Sequence, residues 1–286
     1  MTSPPAFRPR GPNGPPPADS AGGGVSAILL AAGYGTRLYP VTKDCPKALL
    51  PLGPGVVLDW ILAGVQGVPG LSRVVLVTNH RFVQQFDAWS QQRHVPLDVV
   101  DDGTSTPESR LGAIRDLLLG LTRVEPHDDV LVLGTDNLFA WSLADFVAFA
   151  AAKRPAMTVA LRTVRSPQDA SRCAVVELDP QGRLLRCIEK PASPFSLTVG
   201  LCVYYIPASC RGRLEEFVTC GGDVDAPGYF AEWLVKQEAV YGFMTAGEWF
   251  DIGSHETYQH AVQWWSHLPS LPVYHTAAGR TTRQTP

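Results

Sequence analysis

The sequence predicts an α/β protein: a doubly wound, mainly parallel sheet whose second half carries the same sheet onward. Three observations support this. Short apolar runs rich in branched residues alternate with longer amphipathic stretches through the first half, the pattern of strands and crossover helices. The first of these runs passes directly into a glycine turn, Gly33-Tyr34-Gly35. From about residue 157 onward the helices thin out and strand-like runs follow one another, separated by turn signals.

Val25–Leu30 is apolar and branched, as a fully buried strand requires. Residues 74–78 repeat the pattern, 82–93 form a polar amphipathic helix, and 97–100 give the next strand. A helix is expected over 108–121 and a strand over 130–133, which ends in the polar turn Gly134-Thr135-Asp136-Asn137. A helix over 143–153 follows, then strands over 157–165, 174–178, 184–189 and 198–205. Asp179-Pro180-Gln181-Gly182 has the composition of a hairpin turn. A last helix covers 256–265, with Ser254 placed to cap it.

The chain divides into a Pro- and Gly-rich tail (1–24), one folded region (25–266) and a loose extension (267–286). Within the folded region, 25–153 forms one half and 154–266 the other. The tail has no apolar core of the kind a secretory signal carries, and composition marks it as disordered. The net charge of −3 offers no basic field for nucleic acid or anionic lipid. No apolar run reaches membrane-spanning length. Six scattered cysteines without a C-x-x-C pair suit a reducing cytoplasm, and argue against zinc or redox motifs.

In an open α/β sheet, ligands sit beyond the carboxyl ends of the strands. The loops following residues 30, 78, 100 and 133 should therefore meet. That brings the glycine turn, Asp101-Asp102-Gly103 and Asp136 around one crevice. Gly33 and Gly35 let backbone N–H groups approach an anion. Arg37 and Lys47 add positive charge that does not titrate away at neutral pH. The turn lacks the third glycine of a dinucleotide fingerprint, since Leu38 stands there, and no Gly-Lys-Ser/Thr of a Walker A loop follows.

The longer pattern is more specific. It runs Leu30-Ala31-Ala32-Gly33-x-Gly35-Thr36-Arg37-Leu38-x-Pro40, then Pro46-Lys47-x-Leu49-x-Pro51. It continues with Leu133-Gly134-Thr135-Asp136-Asn137, Ile188-Glu189-Lys190-Pro191, Val199-Gly200-Leu201 and Trp249-Phe250-Asp251-Ile252-Gly253. Over roughly residues 25–265 the chain resembles the sugar-1-phosphate nucleotidyltransferases, or nucleotide-sugar pyrophosphorylases, of the glucose-1-phosphate thymidylyltransferase-like kind.

That resemblance implies a Rossmann-like sheet of the nucleotide-diphospho-sugar transferase type, with a sugar-binding lobe continuing it. It implies Mg²⁺-dependent transfer of a nucleotidyl group from a nucleoside triphosphate (dTTP, UTP or CTP) to a sugar 1-phosphate, with release of pyrophosphate. By resemblance, Arg37 and Lys47 are the catalytic cations. Ala32, Gly33, Gly35, Thr36, Gly103, Thr104 and Gly112 bind nucleotide. Glu189, Lys190 and Gly200 bind the sugar phosphate, and Asp136 and Asp251 hold the metal. Such a reaction needs no Ser, Cys or His nucleophile, because the attacking phosphate oxygen is already ionised; alignment and charge stabilisation suffice. Taken alone, Asp136 reads equally as a turn or cap residue, and Cys45 as a filler of the active loop.

The resemblance is incomplete between Asp101 and Ala113. The upstream Gln of many relatives is absent, and Arg110 replaces a glycine beside Leu111-Gly112-Ala113. Base identity is therefore open. A non-catalytic relative that senses nucleotide sugars, or a transferase for a non-sugar phosphate such as phosphocholine, are the alternatives. Oligomeric state, including a homo-oligomer, is open too.

Overall fold

The computed structural model describes residues 23–266. The expectations for the N-terminal tail, apart from Gly23 and Gly24, and for the extension 267–286 lie outside the described residues.

The chain begins with β1 (Val25–Leu30), followed by a short ribbon of β2 (Pro51–Leu52) and β3 (Gly55–Val56), and by α1 (Val57–Gln66). Then come β4 (Leu71–Thr78), α2 (Val83–Arg93), β5 (Asp98–Asp101), α3 (Ala113–Leu121) and β6 (Asp129–Gly134). After β7 (Asn137–Phe139) and α4 (Leu143–Ala151), the second half runs β8 (Met157–Thr163), α5 (Pro167–Ala170), β9 (Ala174–Leu178), β10 (Leu184–Glu189) and β11 (Thr198–Ile206). It closes with α6 (Gly212–Thr219), α7 (Pro227–Val235), β12 (Val240–Met244), β13 (Trp249–Asp251) and α8 (His255–Trp265).

The strands β5, β4, β1 and β6 are parallel neighbours in that order. Their registers align Leu30 with Val77 and Gly134, and Val77 with Val100, so the four carboxyl ends form one edge. The chain lays β4 and β5 on one side of β1, then returns to place β6 on the other. This reversal opens the crevice between β1 and β6. The antiparallel strand β11 pairs with β6 through residues 203–206 and with β9 through Val199 and Gly200, carrying the sheet into the second half. Among the described residues, nine strands share this sheet, so the second half is built on the same scaffold as the first.

Pleat alternation explains why both faces are apolar. Ala27, Leu29, Leu76, Leu131 and Leu133 face one core, shared with α1, α2, α4 and α8. Ile28, Val75, Val77, Val130 and Val132 face the other, shared with α3, α6 and α7. Strands covered on both sides read as continuous hydrophobic runs, which is why β1, β4 and β6 were legible in the sequence. Each fully buried Leu or Ile contributes roughly 1.5–3 kcal/mol by leaving water.

Two local expectations are corrected. The helix expected over 108–121 starts only at Ala113, after a separate helical turn at Pro107–Ser109. The cause is Gly112, whose φ of +91° breaks the helical path. A Cβ there would lie 2.6 Å from the Val224 carbonyl oxygen, so the strap before α3 folds against residues 223–226. The turn expected over Gly134-Thr135-Asp136-Asn137 is present but shorter, at Thr135 and Asp136, because Asn137 already opens β7, which pairs antiparallel with β13 and sets Asn137 opposite Asp251.

Candidate active site

The loop after β1 is anchored at both ends. Ala31 N–H donates to Val77 O at 2.8 Å, and the Thr42 hydroxyl donates to Gly35 O at 2.7 Å. Gly35 is left-handed (φ +62°), and a Cβ there would press on Thr42 and the Lys47 stem at 3.2 Å. A Cβ on Gly33 would meet nothing within 4 Å, so that residue borders open space. Tyr34, between the glycines, reaches across the crevice mouth to Thr104 Oγ1 at 3.0 Å. The sequence carried no signal for this tie.

Lys47 begins a helical turn, Lys47–Leu49, pinned by the buried side chains of Ala48 and Leu50. Its Nζ lies 3.1 Å from Asp136 Oδ2. Asp136 stands just past β6, and its carbonyl accepts Ile252 N–H at 2.8 Å. Its Oδ1 accepts the Asn137 amide at 3.0 Å, while Trp249 Nε1 holds the other end of that amide at 2.8 Å. Burial opposes ionisation of Asp136, but the Lys47 charge and these donors outweigh it and hold the carboxyl below its usual range. Asn137 and Trp249 thus orient Asp136. Both lie inside motifs visible in the sequence, yet their link spans 112 residues.

Asp251 joins this cluster through the β7–β13 ribbon. Burial, and then the negative charge of Asp136, push its carboxyl up to about 6, with Lys47 and Arg37 pulling the other way. The point that a Gly253 Cβ would occupy lies 3.0 Å from Asp251 Oδ2 and 3.3 Å from Arg37 Nη2. Asp136, Asp251, Lys47 and Arg37 therefore converge at the β1–β6 crevice. Two carboxylates form a hard oxygen donor set; among the described residues, no group of three His, Cys, Asp or Glu side chains could hold a metal. A hydrated cation that takes its remaining ligands from water and phosphate fits two carboxylates.

On the β4–β5 side, the 101–104 turn closes on itself. Gly103 N–H donates to Asp101 Oδ1 and Thr104 N–H to Asp102 Oδ1, each at 2.7 Å. The Thr104 carbonyl accepts His80 N–H at 2.8 Å. Gly103 and Thr104 are at the crevice as expected, but these backbone groups serve the turn. His80 is a structural member of it, its ring on Asp101. Gly112 likewise has a packing role, and Ile114 N–H at the start of α3 is taken by Val224 O.

The second half contributes Glu189 and Lys190 at the end of β10, with Lys190 Nζ 3.6 Å from Glu189 Oε1. Lys190 holds a left-handed φ of +45°, unusual for a side chain of its size, and its N–H donates to Cys173 O at 3.0 Å. Backbone strain of this kind gathers at working sites. The Glu189 carboxyl is 6% exposed and lies against the start of α7, where a Cβ on Gly228 would sit 1.7 Å from its Oε2. Burial raises its pKa, opposed by Lys190. Gly200 lies mid-sheet, and a Cβ there would make ordinary contacts at 3.5 Å, so space does not demand glycine.

The acidic groups of the two halves are close enough to act on the same thiols. After burial, the Cys173 thiol is raised by the charges of Asp251 and Glu189, to about 12. The Cys202 thiol is raised by burial and by Asp136 and Glu189. Two thiols thus feel acidic groups of both halves, and both stay protonated at neutral pH, as does the half-buried Cys45. The assembled site has cations, carboxylates and an open glycine loop, but no activated nucleophile. It suits the handling of polyphosphate and a second anion.

A family model described as Nucleotidyl transferase matches residues 26–265. The chain is similar to mannose-1-phosphate guanyltransferase of Schizosaccharomyces pombe, 26% identical over 244 residues, covering 82% of this chain and 62% of that protein. It is similar to the bifunctional protein GlmU of Methanocaldococcus jannaschii, 25% identical, covering 80% of this chain and 51% of that one. It is also similar to glucose-1-phosphate thymidylyltransferase of Streptomyces antibioticus, 30% identical over 232 residues, covering 80% of this chain and 63% of that one. The chain therefore spans between half and two thirds of the length of these relatives. The fold is similar to that in a crystal structure from Bacillus anthracis, of a protein described as a putative glucose-1-phosphate thymidylyltransferase in complex with a sucrose, with a TM-score of 0.72 at 20% identity. That structure covers 86% of this chain and 97% of its own, a likeness of fold. Among the described residues, no helix is long and apolar enough to cross a membrane.

Proposed function

Because the chain belongs to the nucleotidyl transferase family, we propose that it transfers a nucleotidyl group from a nucleoside triphosphate to a sugar 1-phosphate. The products are a nucleotide sugar and pyrophosphate. The observation that supports this most directly is the convergence of Lys47, Arg37, Asp136 and Asp251 on the crevice that Glu189 and Lys190 approach from the second half.

The acceptor's phosphate oxygen forms a bond to the α-phosphorus, and the bond from that phosphorus to the β-bridging oxygen breaks. No proton need move, because the attacking oxygen is ionised and pyrophosphate leaves as an anion. The protein's task is to align two anions and stabilise the charge that develops on the leaving group. Gly33 and Gly35 admit the triphosphate to the loop. Arg37 takes the leaving pyrophosphate, and Lys47 turns from Asp136 toward the reacting phosphate. Asp136 and Asp251 would hold Mg²⁺, which when bound neutralises phosphate oxygens. Lys190 receives the acceptor phosphate, and Glu189 accepts hydrogen bonds from sugar hydroxyls.

The test is pyrophosphate release with Mg²⁺, across the four ribonucleoside triphosphates and dTTP against a panel of sugar 1-phosphates. Release that needs both partners supports the transferase and identifies base and sugar together. Nucleotide-sugar binding without release in any pairing would replace it with a sensor.

A further inference from the structure

One buried acid has no part in the chemistry above. Asp116, in the first turn of α3, is 6% exposed, and its Oδ1 is sealed from solvent with no hydrogen-bond partner among the described residues. An unpartnered buried acceptor is costly and calls for a donor.

Its place in the fold points to one. One turn further along α3, a Cβ on Gly120 would lie 2.9 Å from an Ile28 methyl and 3.1 Å from a Val77 methyl. The helix runs back antiparallel to the strands it connects, so Asp116 lies nearer their carboxyl ends than Gly120 does. This is the β4–β5 side of the crevice. Asp102 is close enough for its charge to add to burial in pushing the Asp116 carboxyl up to about 7. Asp102 itself is fixed by the Thr104 N–H at 2.7 Å and the Thr104 hydroxyl at 3.0 Å. Asn79, which follows β4, is fully buried, and its Oδ1 also lacks a partner while its amide donates to Ala32 O.

The proposed acceptor groups Glu189 and Lys190 lie beyond β6, so the nucleoside of the triphosphate extends the other way, over β4 and β5. On that side of the sheet lie three oxygen acceptors: Asp116, Asp102 and Asn79 Oδ1. The amino groups of cytosine, adenine and guanine each carry two N–H donors and can serve two such acceptors at once, whereas uracil and thymine carry a single N3–H donor between two carbonyl oxygens, which a carboxylate repels.

Resting on the transferase reading above, we propose that Asp116, supported by Asp102, reads the base and that the triphosphate used carries an amino group on its base, in preference to uracil or thymine. Asp116 is then a specificity-determining residue, and its sealed oxygen finds its donor when nucleotide binds.

The experiment is calorimetric binding of CTP, GTP, ATP, UTP and dTTP to the full chain with Mg²⁺ and no sugar phosphate, so turnover is not needed. At least one amino-bearing nucleotide should bind roughly 10- to 100-fold more tightly than UTP and dTTP. Asp116→Asn should collapse that ratio, and Asp102→Asn should reduce it. Near pH 7, in two buffers of different ionisation enthalpy, the preferred nucleotide should release a proton from the wild type and none from Asp116→Asn. Tighter or equal binding of UTP or dTTP by the wild type would overturn the proposal and leave the transferase reading standing. So would an unchanged ratio in a folded Asp116→Asn variant. Failure of all five to bind would overturn both.

Discussion

Lys47 Nζ and Asp136 Oδ2 stand 3.1 Å apart across the β1–β6 crevice, although 89 residues separate them in the chain. The pair holds a cation at the crevice, where triphosphate would exchange one anionic partner for another. Replacing Lys47 with Ala should slow pyrophosphate release by ~10²–10³-fold, as expected for one lost electrostatic donor. Steady-state rates at saturating substrate would measure it; a rate within twofold of wild type would remove Lys47 from the chemistry.

Burial first, and then the negative charge of Asp136, push the Asp251 carboxyl up to about 6. A divalent cation between them would relieve that repulsion. Chelation should stop pyrophosphate release and added Mg²⁺ should restore it. Asp251→Asn should weaken the restoration, shifting the Mg²⁺ concentration for half-maximal rate upward by about tenfold or more.

Trp249 acts at one remove, holding the Asn137 amide at 2.8 Å so that its NH₂ faces Asp136. Trp249→Phe keeps most of the packing and deletes the donor. Apparent metal affinity should fall roughly 10-fold, the lower end of effects seen for groups that orient ligands. The response should appear in a Mg²⁺ titration more than in the KM for sugar phosphate.

Gly228 leaves room for the Glu189 carboxylate at the start of α7. A methyl there must displace that carboxylate, because 1.7 Å is far inside any allowed contact. Gly228→Ala should raise the KM for sugar phosphate with a smaller effect on that for the triphosphate, and overpacking should cost about 1–3 kcal/mol of stability. Lys190→Ala should show the same selective rise. Equal effects on both substrates would refute the division of labour between the halves.

Asp116 also makes a prediction about stability. Its folded pKa of about 7 exceeds the ordinary 3.8, so the folded state binds a proton more tightly than the unfolded one. The resulting stabilisation is complete below the unfolded value and disappears as pH rises through about 7. Asp116→Asn carries no such titration. Denaturant unfolding of wild type and variant should therefore diverge as pH rises from about 5 to 8, with the variant favoured by on the order of 2–4 kcal/mol at the upper end. Parallel curves would mean that Asp116 is solvated.

The parallel half of the sheet was readable because β1, β4 and β6 are buried on both faces and announce themselves as apolar runs. The hairpin at Asp179 and Gly182 was readable because its turn chemistry is local, and Gly182 N–H does donate to Asp179 O at 3.0 Å. The start of α3 was misjudged because residues 108–112 have helical composition but must pass residues 223–226, which no local pattern records. The β7–β13 ribbon was missed because neither strand exceeds three residues.

By itself, the sequence determined the groups available for chemistry and the strands that present them. Gly33 and Gly35 after an apolar strand, Arg37, Lys47 and the two aspartates are composition and spacing, and these are properties of the chain alone. Only the tertiary structure decided which groups meet. It pairs Lys47 with Asp136, sets Asp251 opposite Asn137, lodges Glu189 against Gly228, and turns the backbone donors of Gly103 and Thr104 inward. The reason is physical. Side-chain pairing across a sheet depends on strand order and register, and these are set by the burial of both apolar faces at once rather than by the residues that pair.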